Sequence, residues 1–137
     1  YRGLPKEHPE SYWSFMHRNL FDHVNIRPEA INLPDGTNMD ADAECARYDA
    51  VIHNVGGVDL QLLGIGNDGH VGFNEPGSSL SSRTRAKSLT PVTYRQNCVY
   101  FNPPESMPKR AFTMGVGTIL DANRVILLIT GKKKKAE

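Results

Sequence analysis

The sequence predicts an α/β fold, an open parallel sheet with helices on both faces. Three observations carry this: segments of helical spacing alternate with apolar runs of strand length, the first such run ends directly in glycines, and no internal repeat or low-complexity linker divides the chain. A strand that runs into glycine is a frequent lead-in to a ligand loop in open α/β sheets, so the arrangement is Rossmann-like. Chemistry is expected where that strand ends. The chain opens on Tyr1 and closes on Glu137 behind a lysine run, and it reads as a single partial domain over residues 1–137 with its sheet incomplete.

From Pro9 to about Val24, the residues Tyr12, Phe15, Met16 and Leu20 recur at helical spacing behind a proline, which predicts a helix that buries an aromatic stripe. Ile26 to Met39 carries Pro28, Pro34 and Asp35-Gly36, a turn-rich connection with one short extended piece at Ala30 to Leu33. Asp40 can cap a second helix. Its Ala43, Ala46, Tyr48, Val51 and Ile52 supply an apolar face, and it stops at Gly56-Gly57, where left-handed backbone is cheap. Val58 to Gly66 follows as a buried strand. After a long polar segment, Ala111 to Gly115 and Arg124 to Thr130 read as two more strands, separated by a helical turn at Thr118 to Ala122.

Composition narrows the function. The 137 residues hold 16 Lys+Arg against 15 Asp+Glu, a formal charge of +1, with 39% hydrophobic content. Near-neutral charge supplies no general attraction for a polyanion, so nucleic acid is not an expected partner and any anion site must be local. The longest aliphatic run, Val125 to Ile129, falls far short of the roughly 20 residues that span a bilayer, so no membrane segment is expected. Cys45 and Cys98 lack metal-ligand spacing, which predicts reduced, buried thiols and a cytoplasmic setting.

The densest polar cluster is Gly64-Ile65-Gly66-Asn67-Asp68-Gly69-His70-Val71-Gly72-Phe73-Asn74-Glu75-Pro76-Gly77. Glycine lets backbone turn sharply and approach a ligand closely, while an imidazole can exchange a proton near neutrality. Asp68 and Glu75 are the local carboxylates able to orient His70, making a relay that moves a proton on and off a sugar oxygen. In an arbitrary Asp-Gly-His triplet the bland arrangement is the commoner one, with Asp68 capping a turn, His70 packed as a neutral ring and Glu75 solvated. Position at a strand's carboxyl end shifts the balance toward function. A histidine with two carboxylates can also ligate zinc or iron, but His8, His17, His23 and His53 share no ligand spacing with them, so no metal is expected. Gly64, Gly66 and Gly69 have the spacing of a dinucleotide fingerprint, but that fingerprint must open a helix, which a run this rich in glycine cannot do, so a dinucleotide is disfavoured.

At these residues the chain resembles a known family. The run Leu63 to Leu80, Leu-Gly-Ile-Gly-Asn-Asp-Gly-His-Val-Gly-Phe-Asn-Glu-Pro-Gly-Ser-Ser-Leu, is similar to the signature of the glucosamine-6-phosphate deaminases. Three further blocks match in order: Tyr1 to Tyr12, Ser82 to Lys87, and Gly115 to Ala122. The resemblance implies a cytoplasmic enzyme of amino-sugar catabolism that converts glucosamine 6-phosphate and water into fructose 6-phosphate and ammonia, without cofactor or metal. It implies that His70 opens the pyranose ring with Asp68 and Glu75 in support. It assigns the acid–base carboxylate for C2-to-C1 proton transfer to an Asp-Glu-Tyr-x-Gly-Leu block, of which the chain holds Tyr1 to Leu4. It places Lys134, with Lys135 as the fallback register, on the substrate phosphate. An arginine of the same phosphate site falls on Val99, with Arg95 as a substitute four residues earlier. Hexameric members of the family bind N-acetylglucosamine 6-phosphate at an allosteric site, and the matching positions here are Ser78, Arg85, Lys87 and Ser88. A homo-oligomer is implied for the parent.

Two other readings compete. The 6-phosphogluconolactonases share a Gly-x-Asp-Gly-His loop but perform ester hydrolysis, and they continue differently after the histidine, whereas Val71 to Pro76 here supplies a further acid, Glu75. A catalytically dead fragment that binds sugar phosphate is the other.

Overall fold

The computed structural model describes residues 1–131. Ser11 starts the first helix, α1 (Tyr12–Asn19), its hydroxyl accepting the Ser14 N–H at 3.0 Å. The helix is shorter than the sequence predicts, because the cap lies at Ser11 rather than at Pro9 and the chain tightens into a 3-10 turn at Phe21–His23. The aromatic stripe is not buried either: Tyr12 and Phe15 are each about half exposed, at 48% and 49%. Tyr12 leans on the rings of Tyr1 and Phe73, at centroid distances of 5.8 and 6.4 Å, and so serves the loop at Phe73 more than a core. The extended piece predicted at Ala30 to Leu33 is absent; a 3-10 turn at Pro28–Ala30 leads into unpaired chain.

The second helix, α2 (Ala41–Asn54), begins as expected, with Asp40 Oδ1 accepting the Ala43 N–H at 2.9 Å. Gly56 and Gly57 follow it at φ +89° and +92°. Its buried residues are Glu44 and Cys45, while Ala43 and Ala46, assigned to the apolar face, stand exposed. The reason is the preceding loop, which folds back over the first turns of the helix. Glu44 accepts hydrogen bonds from the Asp35 N–H (2.7 Å), Asn38 Nδ2 (3.3 Å) and Arg47 Nη2 (2.6 Å), and the same Arg47 nitrogen donates to the Leu33 carbonyl at 3.1 Å. A buried carboxylate is tolerated when its lone pairs are filled in this way. Both thiols are free; Cys45 is buried and Cys98 half-buried, and burial pushes the Cys45 thiol up.

Among the described residues, four strands complete the frame. β1 (Leu60–Gly64) runs parallel to β4 (Arg124–Leu128), with Leu60 opposite Arg124 and Gly64 opposite Leu128. β2 (Arg85–Ser88) and β3 (Arg110–Thr113) form an antiparallel ladder, with α3 (Pro91–Asn97) between them in sequence and α4 (Val116–Leu120) after β3. The parallel pair and the helix–strand alternation give the expected α/β class; β2 and α3 arise from the polar segment that showed no periodic signal, and β2 pairs antiparallel with β3, which falls on the strand expected from Ala111. β1 is less buried than its composition suggests, since Leu60 and Leu62 are exposed, and β4 is exposed throughout. A core cluster of Leu4, Phe101 and Met107 forms instead beside the antiparallel ladder, with Tyr1, Leu89, Tyr94 and Cys98 packed on it. The amino-terminal segment is tied there by the Arg2 N–H donating to the Arg110 carbonyl at 2.9 Å. Among the described residues no helix is long and apolar enough to cross a membrane.

The Arg47 hydrogen bond, above all, holds the Glu44 carboxyl below its ordinary value, although burial opposes it. A depressed carboxyl contributes stability that is complete above its unfolded-state pKa and lost as pH falls through the native one. Glu44→Ala should therefore cost about 2–3 kcal/mol of unfolding free energy at pH 7, given that Arg47 can return to water. Denaturant titrations should show that deficit shrinking on acidification below the ordinary carboxylate range.

Candidate active site

The glycine loop leaves the end of β1 and coils at once. The Gly66 N–H donates to the His70 carbonyl at 2.8 Å and the Gly69 N–H to the Gly66 carbonyl at 3.3 Å, with Gly69 at φ +83°. This turn folds the His70 ring back over Gly66. A Cβ there would stand 2.1 Å from the ring Cε1 and 2.2 Å from Nδ1, so only glycine leaves room for the imidazole.

The ring meets both acids. His70 Nδ1 lies 2.5 Å from Asp68 Oδ1 and 3.8 Å from Glu75 Oε2. One ligating atom from each of the three residues falls within 4.8 Å of the others, and among the described residues no other such group of His, Cys, Asp and Glu occurs. Burial works to raise the Asp68 carboxyl, but the His70 ring and the neighbouring Glu75 outweigh it and hold Asp68 below its ordinary value. Asp68 is then the acceptor and Nδ1–H the donor, which leaves Nε2 as the nitrogen free for the cleft. The same trio has the spacing for a divalent cation. Its short internal hydrogen bond suits a proton relay directly, since the atom a metal would need on the ring already faces Asp68.

The rest of the loop is stapled to β3. The Phe73 N–H donates to Thr113 Oγ1 at 3.1 Å, and the buried Asn74 amide donates to the carbonyls of Val71 (2.9 Å) and Met114 (2.8 Å). Gly72, at φ +58°, fits because a Cβ would come within 2.9 Å of Thr113 Oγ1. On the far side, Glu75 Oε1 accepts from the hydroxyls of Thr93 (2.7 Å) and Thr90 (3.1 Å) at the start of α3. Sequence reasoning missed Asn74, Thr113, Thr90 and Thr93, whose partners lie 15 to 40 residues away. Only a Thr-Pro helix entry at Thr90-Pro91 could have hinted at the last pair.

A cleft of about 410 Å³ opens beside His70, lined by Gly64 to Asn67, Gly72, Gln96, Asn97 and Tyr100. Arg95 is not among its lining residues, and Val99 is 69% exposed on the 3-10 turn after α3. Lys134 and Lys135 lie outside the described residues. Ser78 sits just past Glu75 with its hydroxyl on the Glu75 carbonyl at 2.7 Å. Arg85 and Lys87 share one face of β2 and Ser88 the other; Arg83, which alternates with them, is instead paired with Asp121.

An imidazole whose Nδ1 faces two carboxylates, at the carboxyl end of a parallel strand in an α/β fold, is an arrangement suited to acid–base chemistry. The particular family follows from comparison. Residues 2–137 match the family of glucosamine-6-phosphate isomerases/6-phosphogluconolactonase, and the chain belongs to it. It is similar to the solved structure of a monomeric glucosamine-6-phosphate deaminase, at 45% identity and a TM-score of 0.94, covering 98% of this chain and 56% of that one. It also shares its fold with 6-phosphogluconolactonase from Trypanosoma cruzi, at 23% identity and a TM-score of 0.71, covering 98% of this chain and 55% of that one. The chain thus spans just over half the length of either protein.

Gly66→Ala should displace the His70 ring while leaving the frame intact. Loss of alignment by about 1 Å is enough for a roughly 100-fold fall in kcat. Circular dichroism should stay native while turnover collapses; unchanged turnover would mean that the ring does not act from this position.

Proposed function

We propose that the protein is a glucosamine-6-phosphate deaminase, converting glucosamine 6-phosphate and water into fructose 6-phosphate and ammonia. The observation that carries the reading is the second carboxylate: Glu75 Oε2 stands 3.8 Å from His70 Nδ1, the same ring nitrogen that Asp68 meets. The 45% identity to a deaminase supports it.

In this reading His70 Nε2 takes the proton of the anomeric hydroxyl and returns a proton to the ring oxygen. The C1–O5 bond breaks as the C1 carbonyl forms, and the imidazole ends as it began. Asp68, ionised and bonded to Nδ1, fixes the tautomer and stabilises the transient imidazolium, with the Glu75 carboxyl beside the same ring nitrogen. The enolisation that follows needs a further acid–base carboxylate, which no residue from Asp68 to Glu75 supplies. The segment Tyr1 to Leu4, matching the block that carries it in the family, is docked against this loop through the Tyr1 and Phe73 rings, 5.8 Å apart. Lys134 holds the phosphate in this proposal, and Ser78, Arg85, Lys87 and Ser88 form the N-acetylglucosamine 6-phosphate site. A cytoplasmic setting accords with free thiols. A hexamer is not required for catalysis, because Asp68, His70 and Glu75 come from one chain.

The lactonase reading is tested beside it. The intact protein should release ammonia from glucosamine 6-phosphate and leave 6-phosphogluconolactone at its uncatalysed rate, and His70→Gln should lower ammonia release by about 100-fold or more with folding preserved. Lactone hydrolysis without ammonia release would overturn the proposal.

A further inference from the structure

Glu75 carries two oxygens with opposite surroundings. Oε1 accepts from Thr93 Oγ1 at 2.7 Å and Thr90 Oγ1 at 3.1 Å, whereas Oε2 is buried, makes no hydrogen bond among the described residues and faces the imidazole. Thr93 is itself locked: it is 1% exposed, its N–H donates to Thr90 Oγ1 at 3.2 Å, and Thr90 caps α3. The two hydroxyls stand 3.1 Å apart, so Thr90 can alternate its single proton between Thr93 and Glu75 while Thr93 keeps its own on the carboxylate.

We propose that Thr93, backed by Thr90, is a positioning residue that clamps one oxygen of Glu75 and thereby aims the other at His70. The clamp touches neither substrate nor the reacting atoms; it acts through Glu75 alone. A carboxylate side chain with one oxygen unpartnered in a buried setting would rotate to satisfy it. Holding Oε1 from a helix start removes that freedom, because the clamp atoms are fixed by the α3 cap rather than by a flexible side chain. The geometry also gives α3 a double duty, since Gln96 and Asn97 of the same helix line the cleft and the Asn97 amide returns to the Thr93 carbonyl at 2.8 Å. Clamp and cleft wall therefore move as one piece.

The inference rests on the deaminase reading for its kinetic consequence but not for its geometric one, and the test separates them. Thr93→Val keeps the shape and deletes the donor; Thr93→Ser keeps the donor. In the intact protein, Thr93→Val should lower kcat for glucosamine 6-phosphate about tenfold or more with KM within about twofold, and Thr93→Ser should restore most of it. Crystal structures of both variants should show Glu75 turned off His70 in the valine variant and held in the serine variant. Equal kinetics in both variants and the parent, or an unmoved Glu75 in the valine variant, would overturn the clamp. If the parent releases no ammonia, the function fails while the two crystal structures still decide the clamp.

Discussion

The site depends on one short hydrogen bond, His70 Nδ1 to Asp68 Oδ1 at 2.5 Å. It fixes which ring nitrogen carries the proton, and so which one faces the cleft. Everything around it serves to keep those two atoms in place. Gly66 clears the space behind the ring, Gly69 makes the turn that brings residue 70 back over residue 66, and Asp68 remains ionised below the ordinary carboxylate range. Without that bond the imidazole would be free to take either tautomer.

Precision on a glycine-rich loop has to come from outside it. Here it comes from two directions, the end of β3 through Thr113 and the Met114 carbonyl, and the start of α3 through Thr90 and Thr93. Both anchors belong to the antiparallel β2–β3 unit that carries the core of Leu4, Phe101 and Met107. The parallel β1–β4 pair delivers the loop, and the antiparallel unit aims it. That division fits the burial of Asn74 and Thr93, whose donors tie the loop to the Met114 carbonyl and to Glu75 respectively.

The sequence revealed the site's chemistry better than its supports. Asp68, His70 and Glu75 are close in the chain and framed by glycines, so local spacing alone brought them together. Thr93 and Thr113 were illegible because their partners are distant, and a threonine destined to hold a carboxylate looks no different from one in a solvated turn. The fold followed the same rule. Asp40 and Gly56-Gly57 bounded α2 correctly because caps and stops are local, whereas its buried side turned out to be Glu44 and Cys45, a choice made by the Asp35 to Asn38 loop packed across it. Hydrophobicity likewise marked β1 and β4 as strands but could not say what covers them; in this chain Leu62 and Ile126, paired across the ladder, both remain exposed. The family match adds what spacing cannot, membership of the glucosamine-6-phosphate isomerases/6-phosphogluconolactonase family, and the chain spans 56% of the similar deaminase.

The central claim is that His70 Nε2, backed by Asp68, works on the ring oxygen of a phosphorylated amino sugar. A crystal structure of the intact protein with the reduced, open-chain analogue of glucosamine 6-phosphate tests it most directly. The account predicts the analogue in the cleft walled by Gly64 to Asn67 and Tyr100, with its O5 hydroxyl within hydrogen-bond distance of His70 Nε2 and the Asp68 contact to Nδ1 retained. An analogue bound with O5 turned away from His70, or a ring that abandons Asp68 to reach it, would contradict the account.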